Sequence, residues 1–251
     1  MTPELMDEPG ASREQLADAL AFIRGVNLRL GGRSGLIGWL RRWSWQWPTD
    51  RPVTLLDLGT GSADIPAAAR AWALGAGFNL RITAADNHAT TLDLARDHLA
   101  EAWPSEVAGG VELVECDAFG IVDRFGPGSF DYVHAGMFLH HLEDIDVATV
   151  LRLMERVASK GLVWNDLSRT WVARRAIDVL TTGQNAMVRH DAAVSVEKGF
   201  RRGEVLGYRE RLGLSWCGYA GRFWTQRFEL AGEKPGAWAG TTGRAGSNSR
   251  D

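Results

Sequence analysis

Short apolar runs that alternate with helical stretches occupy the middle of the chain, and they constrain its fold more than any other feature. Five runs rich in β-branched and aromatic residues cover 53–58, 80–85, 111–115, 130–134 and 161–164. Helical spacing of apolar residues covers 64–74, 89–102 and 144–159. Strands that alternate with helices pair in parallel and are buried on both faces. The pattern therefore predicts an α/β fold with a Rossmann-like sheet of five parallel strands.

The two ends of the chain predict further parts of the architecture. Helical patterns at 13–29 and 36–45 flank the glycine-rich stretch 31–35, and we expect residues 1–50 to form an N-terminal helical lid over the carboxyl edge of the sheet. The sheet domain is expected to cover 51–232. Residues 233–251 are predicted to be a flexible tail, because the end of the chain is small and polar.

A change of pattern after the fifth predicted strand indicates a cap inserted near 167–212. Its predicted parts are a helix at 170–180, a loop at 183–194 and a helix at 203–212. Two more strands, at 215–219 and 223–230, are joined by a short Ala-Gly-Arg turn. Such a pair predicts a C-terminal antiparallel hairpin.

Composition excludes several classes of function. The net charge of −3 gives no general attraction to a phosphate backbone, so nucleic acid is not an expected partner. Cys116 and Cys217 are far apart and lack metal-type spacing, which favours a reducing compartment. No apolar run approaches the roughly 20 residues that span a bilayer. We expect a cytoplasmic protein without a membrane span that acts on a small molecule, with a homodimer as a possible assembly.

The stretch from Val53 to Asp64 is the most specific motif. A hydrophobic strand ends at Asp57 and runs through a turn with Gly59 and Gly61 into a helix. Glycines let a ligand approach the backbone, and the helix start offers unpaired N–H groups. A dinucleotide site needs a third glycine where Asp64 stands, because its pyrophosphate lies on the positive helix end. A carboxylate there would repel that group. A plain structural turn remains the alternative.

Two further strands also end in an acid. The second runs into Asp86 and Asn87, and the third into Asp117 and Ala118. Ligands of open α/β sheets bind at the carboxyl ends of the strands, although Asp86 could instead cap the following helix. If each acid only capped the helix that follows it, acids at three successive strand ends would be a coincidence. Together with the glycine turn, they make the chain resemble a class I S-adenosylmethionine-dependent methyltransferase over residues 53–230.

This resemblance implies S-adenosyl-L-methionine as the cofactor, since its sulfonium and ammonium suit an acid-rich turn. The turn would line the methionine moiety, the second acid would bind the ribose, and the third would cover the adenine. A backbone carbonyl in the segment 130–142 would face the ammonium together with the first acid. The implied cofactor-binding residues are Asp57, Gly59, Thr60, Gly61, Asp86, Asn87, Asp117, Ala118 and Ala135.

Three histidines are candidates for a catalytic base. Methyl transfer is an in-line displacement, so a base is needed only where the acceptor must lose a proton. His140 and His141 belong to a histidine pair common in small-molecule members of the resembled family, and His190 lies in the predicted cap. Asp166 or Asp191 could orient them, and the alternative for each histidine is a purely structural role. No clustered Asp-Asp-Asn pattern is present, so we predict no metal.

The resemblance is closest to ubiquinone/menaquinone-type and to polyketide- or phenol-modifying members. It implies methylation of an oxygen, or less favourably a carbon, of an apolar hydroxylated metabolite entering between the lid and the cap. The rival interpretations are a noncatalytic cofactor-binding subunit and an NAD(P)-dependent oxidoreductase. Asn27 and Arg33 could reach the cofactor carboxylate. A tryptophan run could line the acceptor or simply pack, and it consists of Trp39, Trp43, Trp45 and Trp47.

Overall fold

A seven-stranded mixed sheet forms the centre of the computed structural model, which describes residues 4–7 and 10–239. Its strands are β1 (Val53–Leu58), β2 (Leu80–Asp86), β3 (Val111–Glu115), β4 (Phe130–Gly136), β5 (Ala158–Leu167), β6 (Gly218–Arg222) and β7 (Arg227–Glu233). The order across the sheet is β3-β2-β1-β4-β5-β7-β6. The first five strands are parallel, and β7 pairs antiparallel with both β5 and β6. The predicted α/β fold with five parallel strands and a hairpin is confirmed.

Ten helices of the described residues flank this sheet. They are α1 (Arg13–Arg29), α2 (Gly32–Trp43), α3 (Asp64–Gly75), α4 (Ala89–Ala102), α5 (Ser105–Ala108), α6 (Ile121–Phe125), α7 (Asp144–Val157), α8 (Trp171–Leu180), α9 (Ala186–Lys198) and α10 (Arg202–Arg211). None of these helices is long and apolar enough to cross a bilayer. The start of α1 is defined by a capping box, in which Ser12 and Gln15 exchange side-chain and backbone hydrogen bonds.

The two N-terminal helices occupy different places. Helix α1 crosses the carboxyl edge of the sheet, where Leu16 and Leu20 line a cavity at the ends of the parallel strands. Helix α2 packs on one face of the sheet, and the ring of Trp43 stacks on Tyr132 with 5.1 Å between centroids. Trp47 is also buried there and donates to the Tyr132 hydroxyl at 2.9 Å. Part of the tryptophan run therefore packs against the domain, while Trp45 is exposed.

Three local predictions differ from the structure. Helix α2 begins at Gly32, not at residue 36, because the glycines serve close packing: a Cβ on Gly35 would lie 2.3 Å from Asn165 Nδ2. The predicted loop 183–194 is largely helix α9, whose start is capped by the Asn185 side chain. The hairpin turn lies at 223–226, since Gly221 pairs with Phe228 inside the ladder and does not form the turn.

The end of the described chain also differs from expectation. Residues 234–239 lie within the predicted tail, yet Trp238 is buried and donates to the Tyr132 hydroxyl at 3.1 Å. Lys234 Nζ donates to the backbone carbonyls of Glu155 and Ala158. These contacts anchor the segment to the sheet because an indole and an ammonium find buried partners there. Residues 240–251 of the predicted tail lie outside the described residues.

Candidate active site

A cavity of about 440 Å³ opens at the carboxyl ends of β1, β2, β3 and β4, beneath α1. This volume lies within the range of about 300–1,000 Å³ that small-molecule sites occupy. The predicted cofactor residues that line it are Asp57, Gly59, Thr60, Gly61, Asp86, Asn87, Asp117 and Ala118. Parallel pairing brings them together, because the acids stand at matching ends of adjacent strands. Ala135 lies within β4 and does not line the cavity, whereas the next residue, Gly136, does.

The turn after β1 has the geometry of a ligand-binding loop. Gly59 and Gly61 have φ values of 62° and 55°, in the left-handed region that favours glycine. A Cβ on Gly59 would lie 2.5 Å from the ring of Phe138, so no larger residue fits. The hydroxyls of Thr60 and Ser62 are buried beside the cavity and have no hydrogen-bond partner among the described residues. Such unsatisfied groups fit a polar ligand bound against the loop.

Asp86 joins this loop to the end of β2. One carboxylate oxygen accepts from the Gly61 backbone N–H at 3.0 Å, and the other accepts from the His88 backbone N–H at 3.1 Å. Burial raises the pKa of Asp86 above its ordinary value, and the two N–H donors oppose that rise. The side chain therefore positions the glycine loop and keeps further acceptor sites for ligand hydroxyls. Asp117 is exposed, and its carboxylate accepts from the Phe119 backbone N–H at 2.9 Å.

Asp57 has a partner that the motif did not indicate. Its Oδ1 atom lies 2.5 Å from Nδ1 of His134 on the neighbouring strand β4. Both side chains are almost fully buried. Nε2 of His134 is buried without a partner among the described residues, and the ring lies against Gly136. The strand register explains the pair, because Asp57 and His134 are direct neighbours across β1 and β4.

Asp64 at the start of α3 is held by two residues of the N-terminal helices. Asn27 Nδ2 donates to Asp64 Oδ1 at 3.2 Å, and Arg33 Nε donates to Oδ2 at 3.0 Å. Asn27 lines the cavity, whereas Arg33 is engaged by Asp64 and does not line it. Burial raises the pKa of Asp64, and the hydrogen bonds from Arg33 and Asn27 lower it. The acid that distinguishes this turn from a dinucleotide site also ties α1 and α2 to the loop.

Beneath this contact lies a buried arginine that the sequence did not single out. Arg227 on β7 is 1% exposed and donates to Asn27 Oδ1 at 3.0 Å and to Asn165 Oδ1 at 3.2 Å. Burial lowers the pKa of its guanidinium to about 10, while nearby Asp166, Asp64 and Glu229 oppose that shift. An arginine on an inner antiparallel strand belongs to no sequence motif that would reveal this position. It becomes recognisable only once α1 is packed across the strand ends.

His140 forms the second buried histidine–aspartate pair. Its Nδ1 atom lies 2.7 Å from Oδ1 of Asp166, near the end of β5, and both side chains are inaccessible to solvent. Burial by itself would raise the pKa of Asp166. The charge and hydrogen bond of His140, together with donation from Leu167 N–H and Trp164 Nε1, hold that pKa below its ordinary value instead. Asp166 therefore stays ionised and directs the Nε2 atom of His140 away from itself.

Nε2 of His140 points toward a polar group supplied by the N-terminus. Glu4 Oε1 lies 3.9 Å from His140 Nε2 and 3.8 Å from His141 Nδ1, and it has no hydrogen-bond partner among the described residues. These three side chains could geometrically hold a metal ion. Lys198 Nζ lies 3.7 Å from the same Glu4 oxygen, however. That ammonium would repel a divalent cation, so the donor set does not fit a metal well.

His190 is placed apart from the other two candidates. It lies on α9 and contacts its neighbour Asp191, with 3.0 Å between Nδ1 and Oδ1, and it lines neither the main cavity nor the apolar one described next. Asp191 instead accepts from the backbone N–H groups of Leu5 and Met6 at 2.7 and 3.0 Å. The structure therefore uses Asp191 to fasten the N-terminal segment, and it does not bring His190 to the site.

A second, apolar cavity of about 80 Å³ adjoins the main one and is smaller than the range of about 300–1,000 Å³ that small-molecule sites occupy. Helices α1, α8 and α9 enclose it, and most of its lining is aliphatic or aromatic. His140 and Glu4 lie in its wall. Four residues line both cavities, namely Met6, Ile23, Met137 and His141. Among these, Met137 has a φ of 55°, a rare value for a residue with a side chain, at the turn that separates the two spaces.

Comparisons with known proteins agree with this architecture. A family model described as a methyltransferase domain matches residues 55–161. No curated protein matches the sequence. Among solved structures, a putative O-methyltransferase from Nostoc punctiforme PCC 73102 superposes with a TM-score of 0.60 at 16% identity, covering 88% of this chain and 60% of that one. This chain therefore spans less than two thirds of the length of that relative.

In two other superpositions, a larger share of the known chain is covered. A SAM-dependent methyltransferase from Aquifex aeolicus has a TM-score of 0.59 at 14% identity, with 86% of this chain and 97% of that one covered. The magnesium protoporphyrin IX methyltransferase of Synechocystis PCC 6803, solved with bound SAH, has a TM-score of 0.55 at 10% identity, with 90% of each chain covered. At these identities the superpositions establish the shared fold.

The family match and the site geometry lead to one assignment. The matched residues contain most of β1, all of β2 to β4, the glycine loop and the acids at the strand ends, and the loop and acids line the cavity. Neither rival interpretation receives support, since Asp64 stands where a dinucleotide needs a glycine and the match is to an enzyme domain. Residues 55–161 match the model of a methyltransferase domain, and this match together with the cavity geometry supports an enzyme that uses S-adenosylmethionine as its cofactor.

Proposed function

We propose that this enzyme methylates a hydroxyl oxygen of a small apolar acceptor, such as a phenol, a quinol or a hydroxylated polyketide. The observation that carries the proposal is the apolar cavity that adjoins the cofactor cavity and has the His140–Asp166 pair in its wall. An apolar lining selects an apolar body, and a single buried histidine offers a proton acceptor for one hydroxyl. We further propose that the enzyme acts in the cytoplasm, consistent with its two free cysteines.

Residues of the main cavity would bind and orient the cofactor. When bound, S-adenosylmethionine supplies a methyl group on a positively charged sulfur. Asp57 would face the ammonium, the loop at Gly59 and Gly61 would lie along the methionine moiety, and Asp86 would accept the ribose hydroxyls. Asp117 and Ala118 would border the adenine. The residues that line both cavities, including Met137, would border the path between the methyl group and the acceptor.

His140 would act as the general base. In the neutral ring, Asp166 would accept the hydrogen bond of Nδ1–H, and Nε2 would carry the lone pair in the wall of the apolar cavity. An acceptor hydroxyl beside Nε2 would transfer its proton there as its oxygen attacks the methyl carbon. The imidazolium so formed is stabilised by ionised Asp166, whose pKa is held low. A carbon acceptor without an acidic proton would use this base less directly, which favours oxygen.

Glu4 and His141 would complete the hydroxyl site. Glu4 Oε1 is 3.9 Å from His140 Nε2 and 3.8 Å from His141 Nδ1, distances too long for hydrogen bonds. A hydroxyl oxygen between these atoms would lie within hydrogen-bonding reach of each. The buried, unsatisfied carboxylate oxygen of Glu4 would accept the hydroxyl proton in the ground state or orient the oxygen for attack.

The proposal is tested by methyl transfer assays with a panel of phenols, quinols and matching compounds whose hydroxyl is replaced by hydrogen. Products analysed by mass and NMR should contain a new methoxy group only when the hydroxyl is present. Calorimetric titration with S-adenosylhomocysteine, repeated on Asp86→Ala and Gly61→Val, checks the cofactor site separately, and both substitutions should weaken binding. Intact cofactor binding with methyl groups found only on carbon or nitrogen acceptors would refute O-methylation.

A further inference from the structure

The outer surface of the cap carries aromatic side chains that no part of the described chain covers. Trp171 and Trp224 are 80% and 89% exposed, and Phe223 is 67% exposed. Monomeric proteins seldom expose several large aromatic groups together. Trp171 begins α8, whereas Phe223 and Trp224 form the turn between β6 and β7.

Hydrogen bonds hold these two segments side by side. The Thr170 hydroxyl bonds the Gln226 side chain, and the Ser168 backbone N–H donates to the Gln226 carbonyl at 2.9 Å. Thr170, Phe223 and Gln226 also line one open surface depression, together with Arg202 and Arg222. The aromatic groups of α8 and of the hairpin turn therefore belong to one face, which we call the cap face.

Helix α8 is apolar on both sides. Its inner side contributes Ile177 to the wall of the apolar cavity. Its outer side carries Trp171, Arg175 and Val179, which are spaced four residues apart and all exposed. This spacing places them along one line of the helix surface. A helix that has an apolar cavity on one side and exposed Trp171 and Val179 on the other is poorly suited to face only water.

Charge is distributed very unevenly between residues 168–228, which contain the cap and the hairpin turn, and the rest of the chain. Within that range Arg227 is buried, and Arg222 pairs with Glu229 just outside it. Residues 168–228 contain eleven Lys or Arg and five Asp or Glu, a net charge of +6. The remaining sequence contains seventeen basic and twenty-six acidic residues, a net charge of −9. Exposed tryptophan and aliphatic side chains with arginine among them are typical of surfaces that lie in the headgroup region of a bilayer.

We infer that the cap face docks on an anionic lipid bilayer and that the apolar acceptor enters from the membrane past α8. The inference rests on the proposed apolar acceptor for its purpose, but bilayer binding is measurable without any methyl transfer. Trp171, Phe223 and Trp224 would insert at the interface, and Arg175 and Arg202 would contact lipid phosphates. The basic cap would orient the acidic remainder of the molecule away from the anionic surface.

The test is flotation of the full chain with two kinds of vesicle, pure phosphatidylcholine and phosphatidylcholine containing one third phosphatidylglycerol. Binding to the anionic vesicles should be at least about tenfold stronger and should weaken with added salt. Trp171→Ser combined with Trp224→Ser should lower the partition coefficient roughly tenfold or more, because the interfacial aromatic area is lost. Arg175→Glu should lower it further in the anionic vesicles alone.

Trp45→Ser is the matched control. Trp45 is 69% exposed but lies beside Gln46, which bonds Glu233 near the opposite, amino edge of β5. This variant should bind vesicles like the unmodified chain, and all variants should keep their affinity for S-adenosylhomocysteine. Equal loss in the Trp45 variant, or no preference for anionic lipid, would overturn the inference. A dimer that dissociates in the cap-face variant would show that a second copy covers the face, and would also overturn it.

Discussion

Two buried histidine–aspartate pairs stand near the ends of neighbouring strands and serve different sides of the site. His134 pairs with Asp57 at 2.5 Å, and His140 pairs with Asp166 at 2.7 Å, in each case through Nδ1 and Oδ1. All four side chains are buried. The partners differ in origin, because His134 and Asp57 are opposed in the sheet ladder, whereas His140 lies in a short helical turn after β4.

The two pairs differ in the surroundings of the second ring nitrogen, Nε2. Nε2 of His134 is enclosed against Gly136 and has no partner among the described residues. His140, in contrast, lines the apolar cavity, and its Nε2 lies 3.9 Å from Glu4. An orienting carboxylate alone therefore does not define a catalytic histidine. The role follows from what the remaining nitrogen can reach, so we expect the first pair to support the cofactor loop and the second to accept a proton.

The largest expected effect is on turnover when His140 is changed to Gln. Loss of a general base should reduce kcat by about 10²- to 10⁴-fold, with S-adenosylhomocysteine binding unchanged. Steady-state kinetics with a phenolic acceptor and calorimetry measure these two quantities. The matched variant is His134→Gln, for which we expect kcat at saturating substrates to fall by no more than about tenfold. Equal losses in the two variants would break the distinction between the pairs.

The second-largest expected effect is a loss of stability when the His134–Asp57 pair is broken. His134→Gln leaves the Asp57 carboxylate without its short hydrogen bond in a buried position. The free energy of unfolding should fall by about 1–3 kcal/mol. Urea denaturation followed by circular dichroism gives this value. His134→Asn provides a shorter side chain with a differently placed amide, and similar stability in both variants and the parent would indicate that the pair does not stabilise the sheet.

A smaller effect is expected on cofactor affinity when Asp57 is changed to Asn. The neutral amide keeps the shape but removes the charge that would face the ammonium, so the Kd for S-adenosylmethionine should rise about tenfold. Asp166→Asn is the control, since it should alter kcat and leave this Kd within about twofold. Calorimetric titration distinguishes them. A raised cofactor Kd in the Asp166 variant alone would reverse the assignment of the two acids.

The smallest expected effect is on the pH dependence of stability. It compares the two histidine–aspartate pairs with His98, for which the described residues provide no carboxylate partner. Burial, followed by the charges of Arg24 and Arg33, lowers the pKa of His98 to about 4 from 6.5. Between these values the unfolded chain binds more protons than the folded one. The stability that neutral His98 contributes is complete above pH 6.5 and is lost as the pH falls toward 4.

This dependence is measurable by urea denaturation at several pH values. In His98→Gln, the decline in unfolding free energy between pH 6.5 and 4 should be less steep than in the parent chain. An unchanged slope in the His98 variant would show that folding does not lower the pKa of His98.

Much of the fold was predictable because local patterns and burial agree along the sheet. The strand at 53–58 and the helices at 13–29 and 89–102 have the predicted bounds. Errors arose where one residue type serves two purposes. Glycines at 31–35 signalled a loop but permit the close packing of α2, and Gly221 signalled a turn but lies in a ladder. The asparagine cap of α9 was a local signal, yet its helix carries no clear polar and apolar faces.

The sequence alone determined which acids and glycines line the main cavity, since they follow strands whose parallel pairing brings their ends to one edge. The acceptor side was decided by tertiary structure. Glu4 and Asp166 come from segments far apart in sequence, and both lie beside His140 only because the N-terminal segment packs across the strand ends. No sequence spacing records such contacts. Which nitrogen of a buried histidine faces a cavity likewise depends on side-chain packing around the strand ends.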